Sequence, residues 1–205
     1  HFLAETVASH PGEITLLAIG PLGNLRAASE LDSDFFHHLK RIVIMGGYLH
    51  PLPIPGWEQV PERNLASDPE AAFAVLNAPC PITLMNAHIC LQAPFGLPEL
   101  APIEQFDPEA YGILRNYLLT CESPHLAPRD YLWDLLPAVY ISYPELFDDN
   151  PVWVRSTLAD LETGMIVIGD DGDGALINMP NRILDVGRFY AVLYDAWRQA
   201  SLSKV

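Results

Sequence analysis

The residues of this 205-residue chain best suited to chemistry stand just beyond short apolar runs. After ITLLAI (14–19) come Gly20, Pro21, Leu22, Gly23 and Asn24. RIVIM (41–45) is followed by Gly46-Gly47 and a proline-rich connection that leads to Glu62, Arg63 and Asn64. PCPITLM (79–85) is followed by Asn86, His88 and Cys90. Ligands of open parallel sheets bind outside the carboxyl ends of the strands, so these positions are the ones to weigh. Glu62 and Asn64, a carboxylate and an amide two residues apart, can hydrogen-bond a polyol. They can equally shape the loop and the start of the next helix, and spacing alone favours that role. Asp134 stands among Leu132, Trp133, Leu135 and Leu136, which predicts a buried helix. A buried carboxylate is costly unless it is paired or binds a metal. A metal ligand and a salt-bridged or capping carboxylate are evenly matched there.

Other motifs carry less. The seven histidines make no metal-binding pattern, and the adjacent pair His37-His38 points to opposite sides of a helix. GDDGDG (169–174) places Asp171 and Asp173 two apart, but Arg182 stands where a calcium loop needs its last Glu. It predicts a hairpin turn. Cys90 has no local activator and reads as packing. The chain has no phosphate-cradling P-loop, no GxSxG, no HExxH and no CxxC.

The elements that must position these residues alternate. Helical spacing predicts helices over 2–10, 22–31, 32–41, 68–77, 107–120, 130–142 and 188–200. Short apolar runs predict strands over 14–19, 41–47 and 79–87, with later strands over 152–158, 164–170 and 181–187. The helix at 68–77 has the clearest start: Ser67 as cap, Pro69 in the first turn and Glu70 completing a capping box. The connection from Tyr48 to Arg63 holds Pro51, Pro53, Pro55, Gly56, Trp57 and Pro61, and such long aperiodic loops are uncommon unless functional. The pattern predicts one α/β domain over 1–205: a mainly parallel sheet flanked by helices, with a small antiparallel C-terminal extension.

Composition narrows the function classes. Hydrophobic residues make up 50% and charged ones 18%, which argues against disorder. The net charge of −15, with no Lys/Arg cluster, argues against nucleic-acid and anionic-membrane partners. No run approaches the roughly eighteen apolar residues of a membrane span. Cys80, Cys90 and Cys121 are odd in number and scattered, which points to a reducing, cytoplasmic compartment.

Taken together, ITLLAIGPLGNL, RIVIMGG, ERNLASDPEAA and WDLLPAVY stand in the order found in inosine–uridine-preferring nucleoside hydrolases, and the chain resembles the later two-thirds of such an enzyme. The resemblance implies hydrolysis of ribonucleosides to base and ribose, with a calcium ion at the strand ends. It implies that Asp134 ligates calcium through its side chain and Cys90 through its backbone carbonyl. By the same resemblance Glu62 and Asn64 hold ribose hydroxyls and Met45 lines the ribose pocket. Trp57 or Trp133 can stack on a base, and both can equally be core or lid packing.

The departures matter as much. The family's aspartate-rich DxDxGxDD loop, the source of most calcium ligands and of the general base, does not occur in this sequence. Trp133 replaces a histidine, Arg63 an aromatic residue, His88 an aspartate and Gly56 an asparagine. The chain opens at His1 on an amphipathic segment, so a further segment upstream is expected. The expectation is little or no activity for this stretch alone, an exposed strand edge and a homo-oligomer. The rival expectation is a non-catalytic ribose- or nucleoside-binding relative or structural subunit.

Overall fold

A computed structural model describes residues 1–54, 62–120 and 129–202. Trp57, Gly56 and Cys121 therefore lie outside the described residues. The elements run α1 (Phe2–Ser9), β1 (Thr15–Ala18), α2 (Gly23–Leu31), α3 (Phe35–His38), β2 (Arg41–Met45), α4 (Pro69–Leu76), β3 (Ile82–Met85) and α5 (Ala87–Cys90). They continue with β4 (Pro94–Gly96), α6 (Leu97–Leu100), α7 (Pro108–Thr120), β5 (Arg129–Tyr131), α8 (Leu135–Ser142), β6 (Pro151–Val154), α9 (Leu158–Leu161), β7 (Ala175–Asn178) and α10 (Val186–Leu202). The strands form a sheet ordered β1-β2-β3-β7-β6 and a separate antiparallel ribbon β4–β5. β1, β2, β3 and β7 are parallel, and β6 closes the sheet antiparallel to β7.

The central strands β2 and β3 are apolar but for Arg41 at the start of β2 and Thr83 within β3, because both faces are covered. Ile42 and Ile44 of β2 and Ile82 and Leu84 of β3 join one core, packed against α1, α2 and α4. Val43, Met45 and Met85 point the other way, into a core shared with α8 and α10. β1 lies at the sheet edge. Its Leu16 and Ala18 join the first core, while Leu17 and Ile19, on the other side, are exposed.

Several expected elements differ. The helix expected over 130–142 begins at Leu135, and Arg129–Tyr131 is a strand paired with Pro94–Gly96. Proline explains this: a helix begun at Asp130 would carry Pro137 in its interior, whereas one begun at Leu135 carries it in the first turn. The backbone upstream finds its partners elsewhere; Leu132 N–H donates to the Ala93 carbonyl at 3.1 Å. The helix expected over 32–41 is the single turn α3. The runs 164–170 and 181–187 are not strands; they make only isolated bridges, such as Tyr48 with Met165 and Phe147 with Ile183. β7 forms instead over Ala175–Asn178, after the GDDGDG turn. Asp68, not Ser67, caps α4: its carboxylate accepts from Ala71 N–H at 3.0 Å, while the Ser67 hydroxyl donates to the Arg63 carbonyl.

Candidate active site

Parallel pairing puts the carboxyl ends of β1, β2 and β3 at one end of the sheet, and a cavity of about 540 Å³ opens there. Ile19, Met45, Gly47, Tyr48 and Ala87 enter its wall from the strand ends. Leu52, Glu62, Arg63 and Asn64 enter from the long connection, and Asp130, Trp133 and Asp134 from the segment between β5 and α8.

The first wall is held by backbone. The Glu62 carboxylate accepts three main-chain N–H bonds: Gly47 at 3.2 Å and Asn64 at 3.0 Å on Oε1, and Ala66 at 2.8 Å on Oε2. Its methylenes lie on Gly164, which has φ +76°; a Cβ there would stand 2.4 Å from the Glu62 Cβ. Gly47, at φ +74°, is similarly confined, between Leu65 and Ile166. The Asn64 amide donates to the Met45 carbonyl at 2.9 Å, which leaves its own carbonyl oxygen for another donor. Tyr48 donates its phenol to the Thr163 carbonyl at 2.6 Å, and burial, aided by the Glu62 charge, pushes its pKa up.

The second wall is held by side chains. Asp130 Oδ1 accepts from the Trp133 indole N–H at 3.1 Å and from Tyr131 N–H at 2.7 Å. Its Oδ2 accepts the Tyr117 hydroxyl at 2.7 Å. Asp134 stands at the N-cap of α8 but makes no capping bond. It is exposed at the cavity mouth rather than buried as expected, because α8 starts after it and turns its apolar face inward through Leu136 and Val139. The cavity still withdraws the carboxylate from water enough to raise its pKa.

Met45, Glu62, Asn64, Trp133 and Asp134 thus line one cavity. Cys90 does not. Its side chain is buried beneath, its thiol pushed well up by burial and then by the Asp134 charge, and its carbonyl accepts Ala93 N–H at 3.0 Å. Cys80 and Cys90 are free thiols. His88 lies off the cavity, its ring 4.0 Å from that of His50, and burial and then His50 lower its pKa. Sequence pattern alone points to neither Asp130 nor Tyr48. Asp130 was hidden by the helical reading of 130–142; the pairing of Pro137 with a late helix start was the signal that could have exposed it.

Calcium needs about six to eight oxygen ligands. Among the described residues no group of three or more His, Cys, Asp or Glu side chains converges on a point, so Asp134 and the Cys90 carbonyl do not by themselves make a calcium site.

The profile of a family described as inosine-uridine preferring nucleoside hydrolase matches residues 1–191. The chain belongs to that family. Its similarity to individual members is partial. Uridine nucleosidase 1 of Arabidopsis thaliana is 42% identical over 91 residues, which is 44% of this chain and 26% of that protein. The pyrimidine-specific ribonucleoside hydrolase RihA of Shewanella oneidensis is 28% identical over 180 residues, covering 81% of this chain and 53% of its own length. The chain therefore spans about half the length of one relative and a quarter of the other. Among solved structures, a plant nucleoside hydrolase superposes with a TM-score of 0.79 at 24% identity, over 94% of this chain and 64% of that one. A nucleoside hydrolase from Bacillus anthracis gives 0.70 at 24% identity, over 100% and 65%. These two likenesses show the nucleoside hydrolase fold. Among the described residues no helix is long and apolar enough to cross a membrane.

Proposed function

We propose that the cavity is a ribonucleoside site and that the reaction class is N-glycosidic hydrolysis: water adds to C1′ of ribose, the C1′–N bond breaks, and the base leaves with a proton. The observation that carries this reading is the convergence of Met45, Glu62, Asn64, Trp133 and Asp134 on one cavity at the strand ends. Asn64, with its carbonyl oxygen to spare, and the remaining lone pairs of Glu62 face ribose hydroxyls, beside Met45. Trp133 faces the base. The carboxylates of Glu62 and Asp134, one on each wall, suit the positive charge that develops on the sugar in an oxocarbenium-like transition state.

Calcium, in this proposal, would meet Asp134 and the Cys90 carbonyl. The described residues do not complete its shell, so no step is routed through it. No general base is assigned, and the 205-residue chain alone is expected to turn over little or no nucleoside. Cytoplasmic placement and a homo-oligomeric state belong to the same proposal.

The second reading, ribose or nucleoside binding without turnover, is favoured by Glu62, whose two oxygens are already engaged by three backbone donors. Ribose release from a nucleoside panel including inosine and uridine, with calcium and with chelator, tests both, alongside calorimetric titration with ribose. Calcium-dependent release would overturn the expected inactivity. Binding without release supports the second reading. Neither binding nor release would overturn the nucleoside site.

A further inference from the structure

Asp130 lines the cavity, yet every contact described for it faces its own neighbours. One oxygen holds the indole N–H of Trp133, and the other holds the hydroxyl of Tyr117, which reaches across from α7. Trp133 also packs edge-on against Tyr131, with ring centroids 5.3 Å apart. On the far side of Asp130 lies a second cavity of about 200 Å³, walled by Phe95, Leu114, Leu118 and Trp197. Asp130 and Tyr117 line that space as well, and Trp133 does not. A hydrogen bond to a carboxylate is stronger than one between neutral groups, so the indole is pinned by its polar edge.

We propose that Asp130 is a positioning residue for base recognition. It fixes the Trp133 indole as a rigid cavity wall for a flat heteroaromatic base, and Tyr117 braces the carboxylate from behind. This inference rests on the nucleoside reading of the cavity. A pre-ordered aromatic wall costs less side-chain entropy on binding than a mobile one. Asp130 therefore sets the affinity for the base portion of a ligand and leaves the sugar portion to the opposite wall.

The test is calorimetric titration of the protein with hypoxanthine, with uracil and with ribose, each alone. In Asp130→Ala the ratio of base affinity to ribose affinity falls about tenfold, the size of one lost charge-assisted hydrogen bond. Asp130→Asn keeps an acceptor for the indole N–H and recovers most of that ratio. Acrylamide quenching, read as the difference from the matched Trp133→Phe protein, shows Trp133 more accessible in Asp130→Ala. Should that variant fail to fold, Tyr117→Phe removes only the brace and lowers the ratio about threefold. An unchanged ratio in the variants, or Asp130→Asn as weak as Asp130→Ala, overturns the proposal. Wild-type protein that binds ribose but neither base overturns it while leaving the ribose site standing. Wild-type protein that binds none of the three overturns the nucleoside reading and this inference together.

Discussion

The two walls of the cavity carry carboxylates in opposite circumstances. Glu62 is wrapped in main chain: three N–H groups on its oxygens and the bare Cα of Gly164 against its methylenes. Asp134 stands at the mouth with no capping bond and a pKa raised by desolvation. The first residue holds its loop together. The second is carried by the fold at some cost, and a group kept under those terms is free to act on a ligand. The contrast separates a carboxylate whose removal should harm the fold from one whose removal should not.

The largest expected effect breaks the first wall from outside. Gly164→Ala forces a Cβ to within 2.4 Å of the Glu62 Cβ at a backbone φ of +76°. A loss of about 3 kcal/mol or more is expected from overpacking and backbone strain together, read by urea denaturation, with ribose affinity falling in parallel. A midpoint within error of wild type would show that the wall is not held as described.

Removing the carboxylate itself comes next. Glu62→Ala leaves the N–H groups of Gly47, Asn64 and Ala66 without their acceptor. Because the site is half-buried and water can partly replace the side chain, about 2 kcal/mol is expected. The same urea experiment reads it.

The smallest effect has the opposite sign and sharpens the comparison. Asp134 has a folded-state pKa above its unfolded value, so the folded protein binds its proton more tightly. Its unfavourable contribution is absent below the unfolded pKa, grows as pH rises toward the folded pKa, and is full above it. In calcium-free buffer with chelator, Asp134→Asn should therefore match or slightly exceed wild-type stability at neutral pH. The difference should vanish as the buffer is taken below pH about 4. Thermal melts across that range check it; an Asp134→Asn protein clearly less stable at pH 7 would show that this carboxylate has a stabilising partner after all.

The sequence was most legible where local pattern and burial agree. Runs such as RIVIM and ITLM are apolar apart from Arg41 and Thr83, because helices cover both faces of a central parallel strand, and they predict strands plainly. The helix over 68–77 is equally legible, down to its proline, although its cap falls one residue later, on Asp68. Legibility failed at the start of the helix expected over 130–142 and over 164–187. Asp130-Tyr131-Leu132 has an apolar content that suits a helix or a strand, and only the partner strand Pro94–Gly96 decides between them. GMIVIGD has a strand's composition but makes only isolated bridges, whereas Ala175–Asn178 pairs fully with Pro151–Val154.

Taken alone, the chain's residues determined the α/β class, the strand ends at which a ligand would bind, and the motifs that mark the nucleoside hydrolase family. These are properties of short segments, written in periodicity and in residue type. Tertiary structure alone decided that Met45, Glu62, Asn64, Trp133 and Asp134 share one cavity while the Cys90 side chain lies beneath it. It also decided that Glu62 is engaged by the backbone, that Asp134 is exposed, and that Asp130 holds Trp133 in place. Hydrogen-bond partners and solvent access depend on segments far apart in the chain, and no local pattern encodes which of them will meet.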